Sequence, residues 1–248
     1  MYGTMRVVIQ MAIQIYGKNP CREILISGKP VLQAYAIKET NRDLCDLAKK
    51  AAIPVQILEK NVFDARFQGN HQGIVLEIEE YQTLTLDAAW VKIKTQKNPL
   101  LLMLDGIEDQ HNFGAIIRTA EAGGVAGIII PKNRSVGITG TVAKVSSGAI
   151  EHIDIIEVTN LSQTIEKLKK LGFWIVGTDL LAVKRYDEID VEVPLCVIIG
   201  NEGKGISRLV KENADYNVKI PMVGKTNSLN ASVSAGIIIF EILRKRAG

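Results

Sequence analysis

The sequence predicts an α/β protein in two parts, a small α/β unit followed by a larger, mostly parallel sheet with helices on both faces. Two observations carry this. Over the first ~80 residues strand patterns that are half apolar alternate with helical ones. From Pro99 onward the apolar runs become continuous and are separated by helical patterns, as in strands buried on both faces.

In the first part, Thr40-Asn41-Arg42-Asp43 reads as a capping box that opens a helix with Leu44, Leu47, Ala48 and Ala51 at helical spacing. Pro54 ends that helix, and 55–58 reads as a short strand. Residues 73–79 (GIVLEIE) alternate as a half-buried strand does. A polar stretch follows, with a short helix at 86–91, and we place the linker at 81–98. In the second part strands are expected at 100–104, 127–130, 173–176 and 195–199, with helices at 113–122, 161–171 and 206–212 and a long apolar helix after Pro221. The expected division is 1–80, linker 81–98, and 99–248, with 1–15 as a disordered extension. Globular patterning begins near Tyr16, which makes Met5 or Met11 a candidate start.

The chain has 248 residues, 47% hydrophobic and 23% charged, an ordinary globular balance. No apolar run approaches the ~20 residues of a membrane span. The N-terminus lacks the apolar core and cleavage site of a signal peptide. Cys21, Cys45 and Cys196 are odd in number and scattered, as are the three histidines, so neither a disulfide framework nor a metal site is expected. A reducing, cytoplasmic compartment fits. The net charge of +3 is compatible with an RNA partner and decides nothing alone.

In a parallel sheet, ligands bind beyond the carboxyl ends of the strands. That directs attention to residues 105–114, 177–181, 200–205 and 221–230. Two apparent motifs fail there. Gly224-Lys225-Thr226 resembles the end of a P-loop, but Lys219 stands where its first glycine should be. The glycines of 200–205 are spaced GxxGxG, not as a dinucleotide fingerprint requires. Asn112 suits an N-cap. Arg118 has small i±4 neighbours, Gly114 and Ala122, which leave room for a ligand; taken alone, an i,i+3 ion pair with Glu121 on a solvated face is the favoured reading. Glu202 either fixes a loop or substrate group or is an exposed loop acid. Ser228 or Asn230 could simply cap the last helix.

In combination these segments resemble the three motifs of the SpoU (TrmH-like) family of RNA ribose 2′-O-methyltransferases. The first is DGIEDQHNFGAIIRTA, with Asn112, Gly114 and Arg118; the second is IIGNEGKG around Glu202; the third is IPMVGKTNSLNAS, with Ser228 and Asn230. In the first part, Tyr16-Gly17-Lys18-Asn19-Pro20 and His71-Gln72-Gly73-Ile74 resemble the L30e-like substrate-binding domain attached to many of these enzymes.

The resemblance implies a SPOUT fold with a C-terminal trefoil knot, which pattern alone would never suggest because knots are nearly absent from proteins. It implies S-adenosylmethionine as cofactor, held around Thr178, Gly200, Asn201, Gly203, Ile220 and Leu229. Asn112, Arg118, Glu202, Ser228 and Asn230 carry over as the catalytic set. It further implies a homodimer, structured RNA as partner, and no metal or membrane. The bacterial large-subunit rRNA guanosine enzymes are the nearest subgroup; the alternatives are a tRNA substrate or a non-catalytic RNA-binding module. A nicotinamide oxidoreductase is disfavoured because no fingerprint is present.

Overall fold

In the computed structural model, residues 12–226 and 228–248 are described. They form two compact units: residues 12–82 with Ile138–Lys144, and Thr83–Gly137 with Val145–Gly248. The candidate start sites and most of the expected 1–15 extension lie outside the described residues. Within the remainder, Ile13–Tyr16 is a strand, so folded structure begins ahead of Tyr16.

The first unit runs β1 (Ile13–Tyr16), α1 (Lys18–Ser27), β2 (Val31–Ile37), α2 (Arg42–Lys50), β3 (Val55–Leu58), α3 (Lys60–Arg66) and β4 (Ile74–Ile78). Its four-stranded sheet has the order β1-β4-β2-β3. β4 lies antiparallel to both β1 and β2, and β3 lies parallel to β2. Strand alternation sorts the core: Tyr35 and Val75 form a cluster with Phe63 and Phe67 at α3, while α1 and α2 pack together and against the sheet.

The expected capping box at Thr40–Asp43 does not form. Asn41 is the N-cap but adopts a left-handed conformation, φ 48°, and makes no side-chain cap. Both side chains are engaged elsewhere: Thr40 Oγ1 donates to the Ile37 carbonyl at 2.8 Å, and Asn41 Nδ2 donates to the Gln72 carbonyl at 2.9 Å.

The second unit continues with α4 (Leu86–Ile93), β5 (Leu100–Asp105), α5 (Gln110–Ala122), β6 (Gly127–Pro131), α6 (Gly140–Val145, mostly in the segment grouped with the first unit), β7 (Ile155–Val158), α7 (Leu161–Lys170), β8 (Trp174–Thr178), β9 (Lys184–Arg185), β10 (Leu195–Gly200), α8 (Arg208–Asn213), β11 (Tyr216–Lys219) and α9 (Ala231–Arg246). Its seven-stranded sheet has the order β7-β6-β5-β10-β8-β11-β9, and every pairing is parallel. One face is covered by α4, α7 and α8, whose Ala89, Ile165, Leu168 and Val210 pack on Leu101, Met103, Ile175 and Cys196. α5 and α9 pack on each other, and α9 packs against β10. Burial on both faces explains the continuous apolar runs of β5 and β10. The stretch 81–98 contains α4, which buries Leu86, Ala89 and Ile93.

Candidate active site

The site is built where β5, β8, β10 and β11 end. After β10 the chain turns through Gly200–Gly205 and closes on itself: Asn201 N donates to the Gly205 carbonyl at 3.1 Å and Gly205 N to that of Asn201 at 2.8 Å. Asn201 organises this loop from within. Its Oδ1 accepts from Gly203 N at 2.9 Å, and its Nδ2 donates to the Gly106 carbonyl at 3.0 Å, tying the loop to the end of β5. Gly200 is required by the closure, since a Cβ there would stand 2.2 Å from the Gly205 carbonyl carbon.

Glu202 projects from the loop, and its Oε1 accepts from Asn112 Nδ2 at 2.8 Å, Asn230 Nδ2 at 2.6 Å and Ala231 N at 3.3 Å. Asn230 Nδ2 also donates to Asn112 Oδ1 at 2.8 Å. Three segments distant in the chain therefore meet at one carboxylate. Asn230 is at the same time the N-cap of α9, where its Oδ1 accepts from Ser232 N at 2.9 Å and Val233 N at 3.3 Å. The capping role read for Asn230 and its place among the site residues coexist in one side chain.

Asn112 is not an N-cap. Asp109 caps α5, its Oδ1 accepting from Asn112 N at 2.7 Å, which leaves the Asn112 amide free to face Glu202. The two helices then run parallel. Asn112 meets Asn230, a Cβ on Gly236 would lie 3.4 Å from Thr119 Cγ2, and one on Gly123 would lie 2.2 Å from Ile239 Cγ2. Both N-termini, the positive ends of the helix dipoles, therefore converge on the Glu202 carboxylate.

A cavity of about 360 Å³ opens beside the loop, and all six expected cofactor-binding residues (Thr178, Gly200, Asn201, Gly203, Ile220 and Leu229) line it, together with Glu202 and Ser228. Its size falls in the range of small-molecule sites. Ile199, Ile206, Met222 and Leu229 supply apolar walls, and the open loop backbone supplies polar edges. A Cβ on Gly203 would meet nothing nearer than Asn201 Oδ1 at 3.6 Å, so the chain can approach a ligand closely there. These residues fit a nucleoside bearing a polar tail. Sequence reasoning missed the ion pair of Lys211 with Asp179, which also lines the cavity. Asp179 directly follows β8 and falls within the 177–181 loop, but nothing in the sequence signals its partner on α8.

Arg118 and Ser228 stand outside the Asn112–Glu202–Asn230 network. Arg118 is exposed on α5, and its Nη1 donates to Ser147 Oγ at 3.1 Å, not to Glu121. Among the described residues no group of three metal-ligating side chains occurs, and no helix is long and apolar enough to cross a membrane.

Comparison with known proteins adds family context. Residues 99–240 match the SpoU rRNA Methylase family, and residues 14–84 match the family described as RNA 2′-O ribose methyltransferase substrate binding. YacO of Bacillus subtilis, named as a TrmH family tRNA/rRNA methyltransferase, is 44% identical over 238 residues, covering 94% of this chain and 95% of that protein. A relative of the same name in Staphylococcus saprophyticus is 46% identical over 239 residues, covering 94% and 96%. Among solved structures, the SpoU methyltransferase AviRb from Streptomyces viridochromogenes, in complex with AdoMet, shares the fold at TM-score 0.82 and 23% identity, over 95% of this chain and 91% of that one. The TrmH/SpoU tRNA modifying enzyme of A. aeolicus is 34% identical at TM-score 0.56, over 65% of this chain and 81% of its own.

Proposed function

The chain belongs to the SpoU family of RNA methyltransferases, and from that premise we propose that it methylates a ribose 2′-hydroxyl in structured RNA, a guanosine of large-subunit rRNA. The observation that carries the reading is the Asn112–Glu202–Asn230 network standing beside the cavity. The match of residues 14–84 to a 2′-O ribose methyltransferase substrate-binding family supports the ribose as acceptor. The added N-terminal unit favours rRNA, since minimal tRNA members of the family often lack it. The first 80 residues then bind RNA, 99–248 carry the chemistry, and 81–98 join them.

S-adenosylmethionine, when bound, supplies a methyl group activated on a sulfonium. Thr178, Gly200, Asn201, Gly203, Ile220 and Leu229 would hold it. What the chain contributes is chiefly placement, which for well-oriented reactants is worth up to about 7–11 kcal/mol. Glu202 Oε1 locks the amides of Asn112 and Asn230. Its Oε2 is the acceptor we assign to a ribose hydroxyl, and Ser228 lines the same cavity as Glu202. A guanidinium holds its proton firmly at neutral pH and is a poor proton acceptor. We assign Arg118 instead to the phosphate beside the target ribose, as a bidentate donor.

The family's usual assembly is a homodimer, and exposed Val233, Phe240 and Leu243 on α9 provide an apolar face for a second copy. Three free, buried cysteines fit a reducing cytoplasm. We also infer a trefoil knot from the family resemblance, a reading with which the placement of β10 between β5 and β8 is compatible.

The test is transfer of labelled methyl from S-adenosylmethionine to total RNA, with ribose-methylation mapping and Arg118→Ala as control. A single 2′-O-methyl site in large-subunit rRNA, strongly reduced in the control, is the expected result. A site in tRNA overturns the substrate assignment, and cofactor binding without transfer to any RNA favours a binding module.

A further inference from the structure

Ser147 is a non-glycine residue in the left-handed region, φ 55°, followed by Gly148 at φ 90°. A side chain there is disfavoured because Cβ crowds the next carbonyl oxygen. Such conformations persist where the surroundings enforce them, and they gather where a side chain must point in a set direction. The surroundings here are firm. Ser146 is fully buried, and the 3-10 turn Ala149–Glu151 that follows packs against α5. The direction is equally plain, because Ser147 Oγ accepts from Arg118 Nη1 at 3.1 Å.

Arg118 is otherwise an exposed, long side chain with much rotamer freedom to lose on meeting a substrate. The guanidinium is planar and rigid, so fixing one N–H also orients the others. We propose that Ser147 is a positioning residue, held in an unfavourable backbone conformation so that its hydroxyl sets the Arg118 guanidinium in the orientation that meets the RNA backbone. This deepens the phosphate-binding reading of Arg118 and rests on it.

Two substitutions separate the hydroxyl from the backbone. Ser147→Gly relieves the conformation and removes the acceptor; Ser147→Thr keeps the acceptor and, being β-branched, worsens the conformation. Each is assayed for melting temperature, for S-adenosylmethionine affinity by calorimetry, and for kcat/KM with total RNA from cells lacking this protein. Ser147→Gly is expected to hold or raise the melting temperature, leave cofactor affinity unchanged, and lower kcat/KM roughly tenfold, the scale of one hydrogen bond to a charged group. Ser147→Thr is expected to melt lower while its kcat/KM stays close to that of the parent. In an Arg118→Ala background, Ser147→Gly is expected to have no further effect.

If Arg118→Ala lowers kcat/KM while Ser147→Gly does not, the positioning role is overturned and the assignment of Arg118 stands. If Arg118→Ala itself keeps full kcat/KM, the assignment of Arg118 fails and Ser147 has nothing to position. An additive loss in the double variant also overturns the proposal, since Ser147 would then act independently of Arg118.

Discussion

Asn112 and Asn230, 118 residues apart in the chain, are joined amide to amide at 2.8 Å, and each also donates to Glu202 Oε1. The arrangement leaves Asn230 with two separable duties: its oxygen caps α9, and its nitrogen holds the site.

Asn230→Asp separates those duties. An aspartate caps a helix as well as asparagine does, but it places a carboxylate oxygen where Nδ2 now lies 2.6 Å from Glu202 Oε1. We expect methyl transfer to fall by more than tenfold and stability to drop by about 1–3 kcal/mol, from the lost donors and the like charges. The stability loss should shrink as the pH is lowered towards the carboxylate range, because one proton shared by the pair removes the repulsion. Thermal melts of both proteins across pH would show it, and a pH-independent loss would contradict the charge argument.

Gly200→Ala addresses the loop. The added methyl carbon would sit 2.2 Å from the Gly205 carbonyl carbon, which is backbone and cannot rotate away. The loop must open, with a destabilisation of about 1–3 kcal/mol typical of overpacking. Calorimetry should find S-adenosylmethionine binding lost or strongly weakened. Parent-like affinity would mean that the closed loop is not needed for the cofactor.

For Arg118 the decisive variant is Arg118→Lys. A lysine keeps the positive charge and loses the bidentate fork. If Arg118 grips a phosphate, KM for RNA rises while turnover at saturating RNA is largely retained. Complete loss of turnover with unchanged RNA affinity would instead give this residue a part in the proton transfer.

The cysteines should be chemically silent in the folded protein. Burial pushes the Cys21 thiol up to about 12 and raises those of Cys45 and Cys196. A raised thiol pKa keeps the reactive thiolate scarce below it, so alkylation at pH 8 should be slow until denaturant is added. Mass spectrometry with iodoacetamide, with and without guanidinium, reads this directly.

How much of this was legible in the sequence depended on burial. β5 and β10 show as LLLML and LCVII because both faces of each are covered. β11 reads YNVK, with only Val218 buried, and no apolar run announces it; β7, four residues long and half-buried at Glu157 and Val158, is equally short of a signal. The motif residues were legible by resemblance, but their partners were not. Asp109 takes the cap that Asn112 suited, and Asn41 donates to Gln72 where a capping box was expected. Cap patterns name acceptors without saying which nearby donor wins. The bond between Arg118 and Ser147 depends on a backbone angle that serine gives no reason to expect.

The bonds that assemble the site span 90, 28 and 118 residues of chain. Contacts of such separation come late in folding, because the loops between them must be ordered first. In a refolding experiment, secondary structure should therefore return well before methyl transfer does, and the regain of activity marks the moment at which α9 docks beside α5.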